Sequence, residues 1–215
     1  MKMHYLSPTL FFPAVTQANR DGILAIGGDL SPQRLQLAYQ SGIFPWFEEG
    51  EPIIWWSPNP RMVLFLHELI ISKSMRNILN RNSFTVTFNQ NFRDVISNCQ
   101  NIKRDGQKGT WITNDMIDAY VKLHEMGIAK SVEVWQNEEL VGGLYGIDLG
   151  HVFCGESMFS KFSNASKVAF IALVEKLKKQ NYKLVDCQVY NPHLESLGCR
   201  EIERDEFIKI LNNKD

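Results

Sequence analysis

Few residues of this 215-residue chain could build a metal site or a disulfide framework. It has only four cysteines, none of them in a CxxC pair, whereas structural zinc sites are usually built from such pairs. We therefore expect reduced thiols and no bound metal. A catalytic thiol is the alternative, with His151 or His193 as the partner of Cys154 or Cys187, but burial in an apolar strand would raise the thiol pKa and weaken this hypothesis.

The chain also lacks a long hydrophobic run and a strong net charge. Its apolar stretches fall short of the roughly 18 residues that a membrane-spanning helix needs. The first residues lack the charged, apolar and small-residue series of a signal peptide, which predicts a cytoplasmic protein. The formal net charge is −1 at pH 7, and this value alone argues against a nucleic-acid partner.

The charge is unevenly distributed, however. Residues 61 to 108 contain eight Lys and Arg residues against three acidic ones, which gives this segment a net charge of +5. Such a segment is either a solvated face or a surface for a phosphate backbone, and charge alone does not decide between the two. The cations are Arg61, Lys73, Arg76, Arg81, Arg93, Lys103, Arg104 and Lys108.

Residues 1–62 differ in composition from residues 63–215. They hold all but one of the eight prolines and three of the five tryptophans, which predicts a small, turn-rich N-terminal domain ahead of a larger one. Ser31 followed by Pro32 predicts a helix over residues 32–40. The aromatic residues that follow this helix either pack between the two domains or form a stacking platform.

From residue 63 onward the pattern alternates strands and helices, which predicts an α/β (α+β) class with a mixed sheet. Strands are predicted near 84–88, 131–135, 140–147, 151–155 and 183–189, and helices near 90–99, 114–126 (capped by Thr113), 165–180 (capped by Asn164), 193–198 and 204–212. The pair Gly142-Gly143 suggests a bulge or a close backbone approach. This order is compatible with the acyltransferase-like (GNAT-like) fold, which is built around a splayed central pair of strands.

Two late segments, 153–160 and 186–193, place polar side chains at the ends of runs that otherwise resemble buried strands. Buried carboxylates are costly unless they have a partner or a role. Asp186 and Gln188 are two residues apart on a strand and therefore share a face, and Glu156 ends the other run. These residues predict an active site rather than a core.

Motifs along nearly the whole chain resemble one family, the leucyl/phenylalanyl-tRNA–protein transferases of bacteria. The matching stretches include DGILAIGGDLSP at 21–32, GIFPWF at 42–47, GTWI at 109–112, FCGESMFS at 153–160, NASK at 164–167 and DCQ at 186–188. The family has a small N-terminal domain and a GNAT-like domain, and it uses no metal or CoA. Residues 160–167 contain no glycine, so the chain also lacks the turn with which CoA-dependent acetyltransferases hold pyrophosphate.

The resemblance implies transfer of Leu or Phe, and Met more weakly, from leucyl-tRNA or phenylalanyl-tRNA to the N-terminal Arg or Lys of an acceptor protein, which then carries a degradation signal. It implies a cytoplasmic enzyme without a membrane anchor, and nothing in the sequence demands more than a monomer. The alternative is a non-catalytic binder of tRNA 3′ ends or peptide N-termini on the same fold.

The resemblance also implies roles for individual residues. Asp186 would polarise Gln188, which draws the proton from the attacking amine; alternatively both only orient the acceptor. Glu156 would pair with the acceptor's cationic residue or brace Asn191. The pocket and adenosine-stacking residues implied are Trp46, Trp111, Leu144, Phe153, Met158, Phe170, Leu173, Val185 and Asn191. The phosphate-binding residues implied are Arg61, Lys73, Arg76 and Arg81, in a basic run that Asn77 and Asn80 interrupt.

Overall fold

The structure is a computed structural model that describes residues 3–102 and 110–213. Its strands are β1 His4–Leu6, β2 Ile23–Gly27, β3 Phe44–Pro45, β4 Ile54–Trp56, β5 Arg61–Phe65, β6 Thr85–Phe88, β7 Ala129–Gln136, β8 Glu139–Asp148, β9 Val152–Ser160, β10 Leu184–Gln188 and β11 Arg200–Ile202. Its α-helices are α1 Pro32–Gln40, α2 Lys73–Asn80, α3 Phe92–Asn101, α4 Asn114–Glu125, α5 Ala165–Lys179, α6 Pro192–Glu195 and α7 Arg204–Asn212.

The first four strands form a small sheet in the order β1-β2-β4-β3. Helix α1 begins at the predicted residue, because Ser31 Oγ accepts a hydrogen bond from the backbone N–H of Arg34 at 3.4 Å. Arg34 is fully buried, and its Nη2 donates to the carbonyl oxygens of residues 7, 8 and 9. This cation ties the N-terminal segment to the helix.

The other seven strands form a mixed sheet in the order β11-β5-β10-β9-β8-β7-β6. Its central strands β9 and β10 run parallel, and they pair only from Val152–Leu184 to Cys154–Asp186. Beyond that point β9 continues to Ser160 without β10 as a partner, so the two strands diverge. This splayed pair confirms the predicted acyltransferase-like mixed-sheet fold.

Several elements differ from the predicted ones. The sequence pattern does not predict strands β1 to β5 or β11, or helix α2. Strand β9 extends five residues past the predicted end at Gly155, because its polar second half faces a cavity rather than solvent. Asn164 precedes α5 in a left-handed conformation with φ 69° and makes no capping hydrogen bond; Ser160 Oγ instead accepts the N–H of Ser166 at 3.2 Å.

Two apolar clusters cover the two faces of the large sheet. Side chains alternate between the faces along a strand, so Leu144 joins the cluster beneath α5 whereas Tyr145 joins the other one. The second cluster also contains Trp55 of the small sheet and Phe207 of α7. The large sheet and the small sheet therefore share a core, and the predicted division of the chain after residue 62 stays a proposal.

Close packing of α5 on β8 explains the glycine pair and leads to a first prediction. A Cβ atom at Gly142 would lie 2.5 Å from the Cβ of Ala165, which confirms the predicted close approach. We expect Gly142→Ala to lower the free energy of unfolding by about 1–3 kcal/mol through overpacking. Gly155→Ala is the matched control, since its Cβ would meet nothing closer than 3.6 Å. Urea denaturation of both variants tests this, and equal effects would contradict it.

Candidate active site

A cavity of about 560 Å³ lies between the diverging ends of β9 and β10. One end is apolar, and its lining includes five of the residues that the resemblance assigns to the amino-acid pocket. These are Leu144, Met158, Phe170, Leu173 and Val185. Phe153 was expected among them but does not line the cavity: it is buried in the cluster beneath α5.

The polar end of the cavity centres on Glu156. Its Oε1 accepts a hydrogen bond from Gln188 Nε2 at 2.7 Å, and its Oε2 accepts one from the Tyr120 hydroxyl at 3.1 Å. The hydroxyl of Tyr120, on α4, is hydrogen-bonded to that of Tyr39, on α1. Sequence reasoning missed both tyrosines as site residues, and the only available signal is that a buried tyrosine hydroxyl usually needs a partner.

This environment changes the proton affinity of all three groups. Burial raises the pKa of Glu156 to about 7, although hydrogen bonds from Tyr39, Gln188 and Tyr120 act in the opposite direction. Burial, followed by the charge of Glu156, raises the pKa of each tyrosine well above its ordinary value. The tyrosines therefore stay protonated as donors, while Glu156 can gain or lose its proton near neutral pH.

Asp186 does not face the cavity, because it forms a fully buried ion pair with Arg61. Arg61 Nε and Nη2 donate to Asp186 Oδ1 and Oδ2 at 2.8 and 2.7 Å. Burial is the largest influence and acts to lower the pKa of Arg61, but the charge and hydrogen bonds of Asp186, together with the charges of Cys154 and Glu156, outweigh it and the net shift is upward. The assignment of Arg61 to tRNA phosphates is therefore wrong: its side chain is 1% exposed and already bound.

The contact between Asp186 and Gln188 differs from the expected one. The strand register shifts between the two residues, and Gln188 has a left-handed φ of 68°, which is uncommon for a residue with a side chain. Its backbone N–H donates to Asp186 Oδ1 at 3.0 Å, while its side-chain amide donates to Glu156. Asp186 thus holds the backbone of Gln188, and Gln188 directs its side chain into the cavity.

Three further predicted residues line the same cavity: Trp46, Trp111 and Asn191. The ring of Trp46 lies 5.4 Å from that of Trp56, between ring centres. Asn191 Oδ1 accepts backbone N–H groups at the start of α6, at 2.9 and 3.3 Å. This residue therefore shapes the cavity wall and also begins the short helix after β10.

Of the predicted phosphate-binding residues, Lys73, Arg76 and Arg81 are exposed on α2 and at its C-terminal end. Arg93, also in the basic segment, is paired with Asp118 at 3.1 Å. The remaining cations of that segment, Lys103, Arg104 and Lys108, lie outside the described residues, as does Gly109.

The contacts and burial of Cys154 and Cys187 do not favour the alternative of a catalytic thiol. The ring nitrogens of His151 contact two backbone carbonyl oxygens, at 3.2 and 2.9 Å, rather than Cys154. Burial raises the pKa of the Cys154 thiol well above its ordinary value. Cys187 contacts Cys199 at 3.7 Å between sulfur atoms, and this contact together with burial raises its pKa as well. Neither thiol is a ready nucleophile.

Within residues 3–102 and 110–213, no helix is long and apolar enough to cross a membrane. The same residues contain no group of three or more His, Cys, Asp or Glu side chains that could hold a metal ion.

A splayed mixed sheet with an apolar pocket beside a carboxylate and an amide defines an acyltransferase-like protein. Two family models match the sequence: "Leucyl/phenylalanyl-tRNA protein transferase" over residues 63–212, and the N-terminal domain of the same family over residues 28–59. The chain belongs to the leucyl/phenylalanyl-tRNA–protein transferase family.

Individual relatives carry the same name. The leucyl/phenylalanyl-tRNA–protein transferase of Flavobacterium johnsoniae is 73% identical over 212 residues, which cover 99% of this chain and 100% of that protein. The one from Flavobacterium psychrophilum is 67% identical, covering 97% of this chain and 99% of that protein. Among solved structures, L-PGS from Bacillus licheniformis aligns with a TM-score of 0.42 and 17% identity, over 73% of this chain and 50% of that one.

The buried ion pair generates a second prediction. Removing one partner leaves the other charge buried and unpaired, so we expect Arg61→Met to lower the free energy of unfolding by about 3–5 kcal/mol. Arg93→Met is the matched control, because its ion pair with Asp118 is exposed and such pairs contribute less than about 1 kcal/mol. Urea denaturation measures both, and a loss as small for Arg61→Met as for the control would refute the assignment.

Proposed function

We propose that this protein transfers Leu or Phe, and Met more weakly, from aminoacyl-tRNA to the N-terminal Arg or Lys of an acceptor protein. Family membership supports aminoacyl transfer from tRNA to protein N-termini. The observation that carries the choice of acceptor is Glu156, whose carboxyl group lies at the polar end of the cavity that has an apolar pocket at its other end. A cationic side chain is its natural partner.

The reaction is the aminolysis of an ester. The acceptor's α-amino nitrogen attacks the carbonyl carbon of the aminoacyl group, and the 3′-oxygen of the terminal adenosine leaves as its bond to that carbon breaks. The amine loses a proton and the leaving oxygen gains one. Because an α-amino group has a pKa of about 7.7–8.0, part of it is neutral at pH 7, so positioning contributes more than a strong base.

Gln188 is the residue best placed to position the amine. Its Nε2 donates to Glu156, so its Oε1 is the atom that can accept a hydrogen bond from the attacking nitrogen. Asp186 acts one step away, as a positioning residue that holds the backbone of Gln188. This arrangement favours the orienting alternative over polarisation of the Gln188 amide by a direct contact between the two side chains.

The aminoacyl side chain would enter the apolar pocket under α5. Such a pocket selects by shape, at about 1–3 kcal/mol per methylene group, which suits Leu and Phe with weaker use of Met. Trp46 and Trp111 would stack on the terminal adenosine. Stacking on an aromatic ring depends little on the identity of the base, because every base has a π face. We assign the substrate contacts without Phe153, which lies outside the cavity lining.

The body of the tRNA would be held through its phosphates by Lys73, Arg76 and Arg81, which are exposed on one short helix and at its end. Phosphate contacts position a nucleic acid without reading its sequence. The proposal also includes a monomer that acts in the cytoplasm and marks its products for degradation.

The first test is transfer itself. The purified protein is incubated with radiolabelled leucyl-tRNA and a peptide beginning with Arg, beside a peptide beginning with Ala. We expect label in the Arg peptide only. For Gln188→Ala we expect kcat to fall about 100-fold, because the substitution removes one oriented hydrogen bond in the transition state. Binding of leucyl-tRNA without transfer to either peptide would instead favour the binding-module alternative.

The raised pKa of Glu156 generates a pH prediction. Below its pKa of about 7, the carboxyl group is protonated and cannot pair with the acceptor's cation, while protonation of the α-amine independently prevents attack. We expect log(kcat/KM) for an Arg peptide to rise with a slope of about 2 below pH 7 and about 1 up to pH 8, since kcat/KM reports the groups of the free reactants.

Glu156→Gln separates the two effects. This variant keeps a side chain of the same shape but has no titrating group, so its profile should rise with a slope of about 1 throughout and lie below that of the wild type. If the Glu156→Gln profile still rose with a slope of about 2 below pH 7, another group would titrate there, and the proposed role of Glu156 would be refuted.

A further inference from the structure

Immediately after Gln188 the chain presents two apolar side chains at the rim of the cavity. Val189 is 37% exposed and Tyr190 is 52% exposed, and both residues line the cavity. Large apolar side chains that stay exposed beside a binding site often mark a contact surface. Neither residue takes part in the chemistry described above.

The ring of Tyr190 is held in place. Its hydroxyl donates to Glu195 Oε2 at 2.8 Å, and Glu195 belongs to α6, the short helix that Asn191 caps. A ring that is already ordered loses little conformational freedom when a ligand packs on it. The Tyr190 ring is therefore already oriented for contact with a ligand.

The charges beside the ring indicate which substrate it meets. The Glu195 carboxylate lies directly against the Tyr190 hydroxyl, and the hydrogen bond between them raises the pKa of Tyr190. An acidic rim repels tRNA phosphates and attracts an acceptor that carries a cationic N-terminus.

Resting on the proposed function, we propose that Tyr190 and Val189 form the contact for the second residue of the acceptor and favour an apolar or aromatic side chain there. The first residue reaches Glu156 and Gln188 inside the cavity. The next Cα is about 3.8 Å further along the acceptor, and Tyr190 is only two residues from Gln188. The second side chain therefore leaves the cavity at this rim.

The test compares two peptides that begin Arg-Phe and Arg-Gly and are otherwise identical, with leucyl-tRNA as donor. In the wild type we expect kcat/KM to be about three- to tenfold higher for the Arg-Phe peptide, the range that one aromatic pair supplies. Tyr190→Ala should bring this ratio close to one. Tyr190→Phe keeps the ring and should keep most of the preference.

Tyr5→Ala is the matched control, because Tyr5 is also an exposed tyrosine, at 79%, on β1 of the small sheet; it should leave the ratio unchanged. A wild-type ratio near one, or a ratio that survives Tyr190→Ala, overturns the inference. An equal loss on both peptides with a raised KM for leucyl-tRNA assigns the ring to the tRNA and overturns it too. Transfer to neither peptide refutes the proposed function itself, and the inference with it.

Discussion

The buried ion pair between Arg61 and Asp186 joins parts of the molecule that are far apart in the sequence. The guanidinium lies 4.8 Å from the ring centre of Phe44 and 4.7 Å from that of Phe207, and its Nη1 donates to the carbonyl oxygen of Gly42 at 3.3 Å. The small sheet, β5, β10 and α7 thus meet around one cation. A charge buried to this degree is tolerated only while its partner is present, so these elements depend on each other's positions.

The candidate site is built outward from this pair. Asp186 Oδ1 accepts hydrogen bonds from both Arg61 and the backbone N–H of Gln188. The second bond stabilises the left-handed turn that ends β10. That turn directs the Gln188 amide to Glu156, while α1 and α4 supply the tyrosines on the other side of the carboxyl group. The geometry at Glu156 therefore follows from the ion pair and from the packing of α1 against α4.

The features predicted correctly depend on residues that are close together in the sequence. Examples are the cap of α1 at Ser31 and the apolar face of α4, each of which corresponds to a helix of the structure. The misassignment of Arg61 has a different cause: its partner lies 125 residues away, so counting charge along the chain places it on the surface. The register shift before Gln188 is equally invisible to strand periodicity, because it depends on the carboxylate that Arg61 holds.

The proposed preference for an N-terminal Arg or Lys has a physical basis in the cost of burying Glu156. Burial favours the neutral carboxyl group, and its pKa of about 7 shows that the hydrogen bonds from Gln188 and the tyrosines offset this only in part. In the proposed complex an acceptor with a cationic side chain would supply the missing stabilisation, whereas a neutral one would leave the carboxylate without a charged partner or protonated. Discrimination of this kind arises because the complex with a neutral acceptor leaves a buried group unpaired. It does not require a strong electrostatic field from the whole protein, and the net charge of this chain is close to zero.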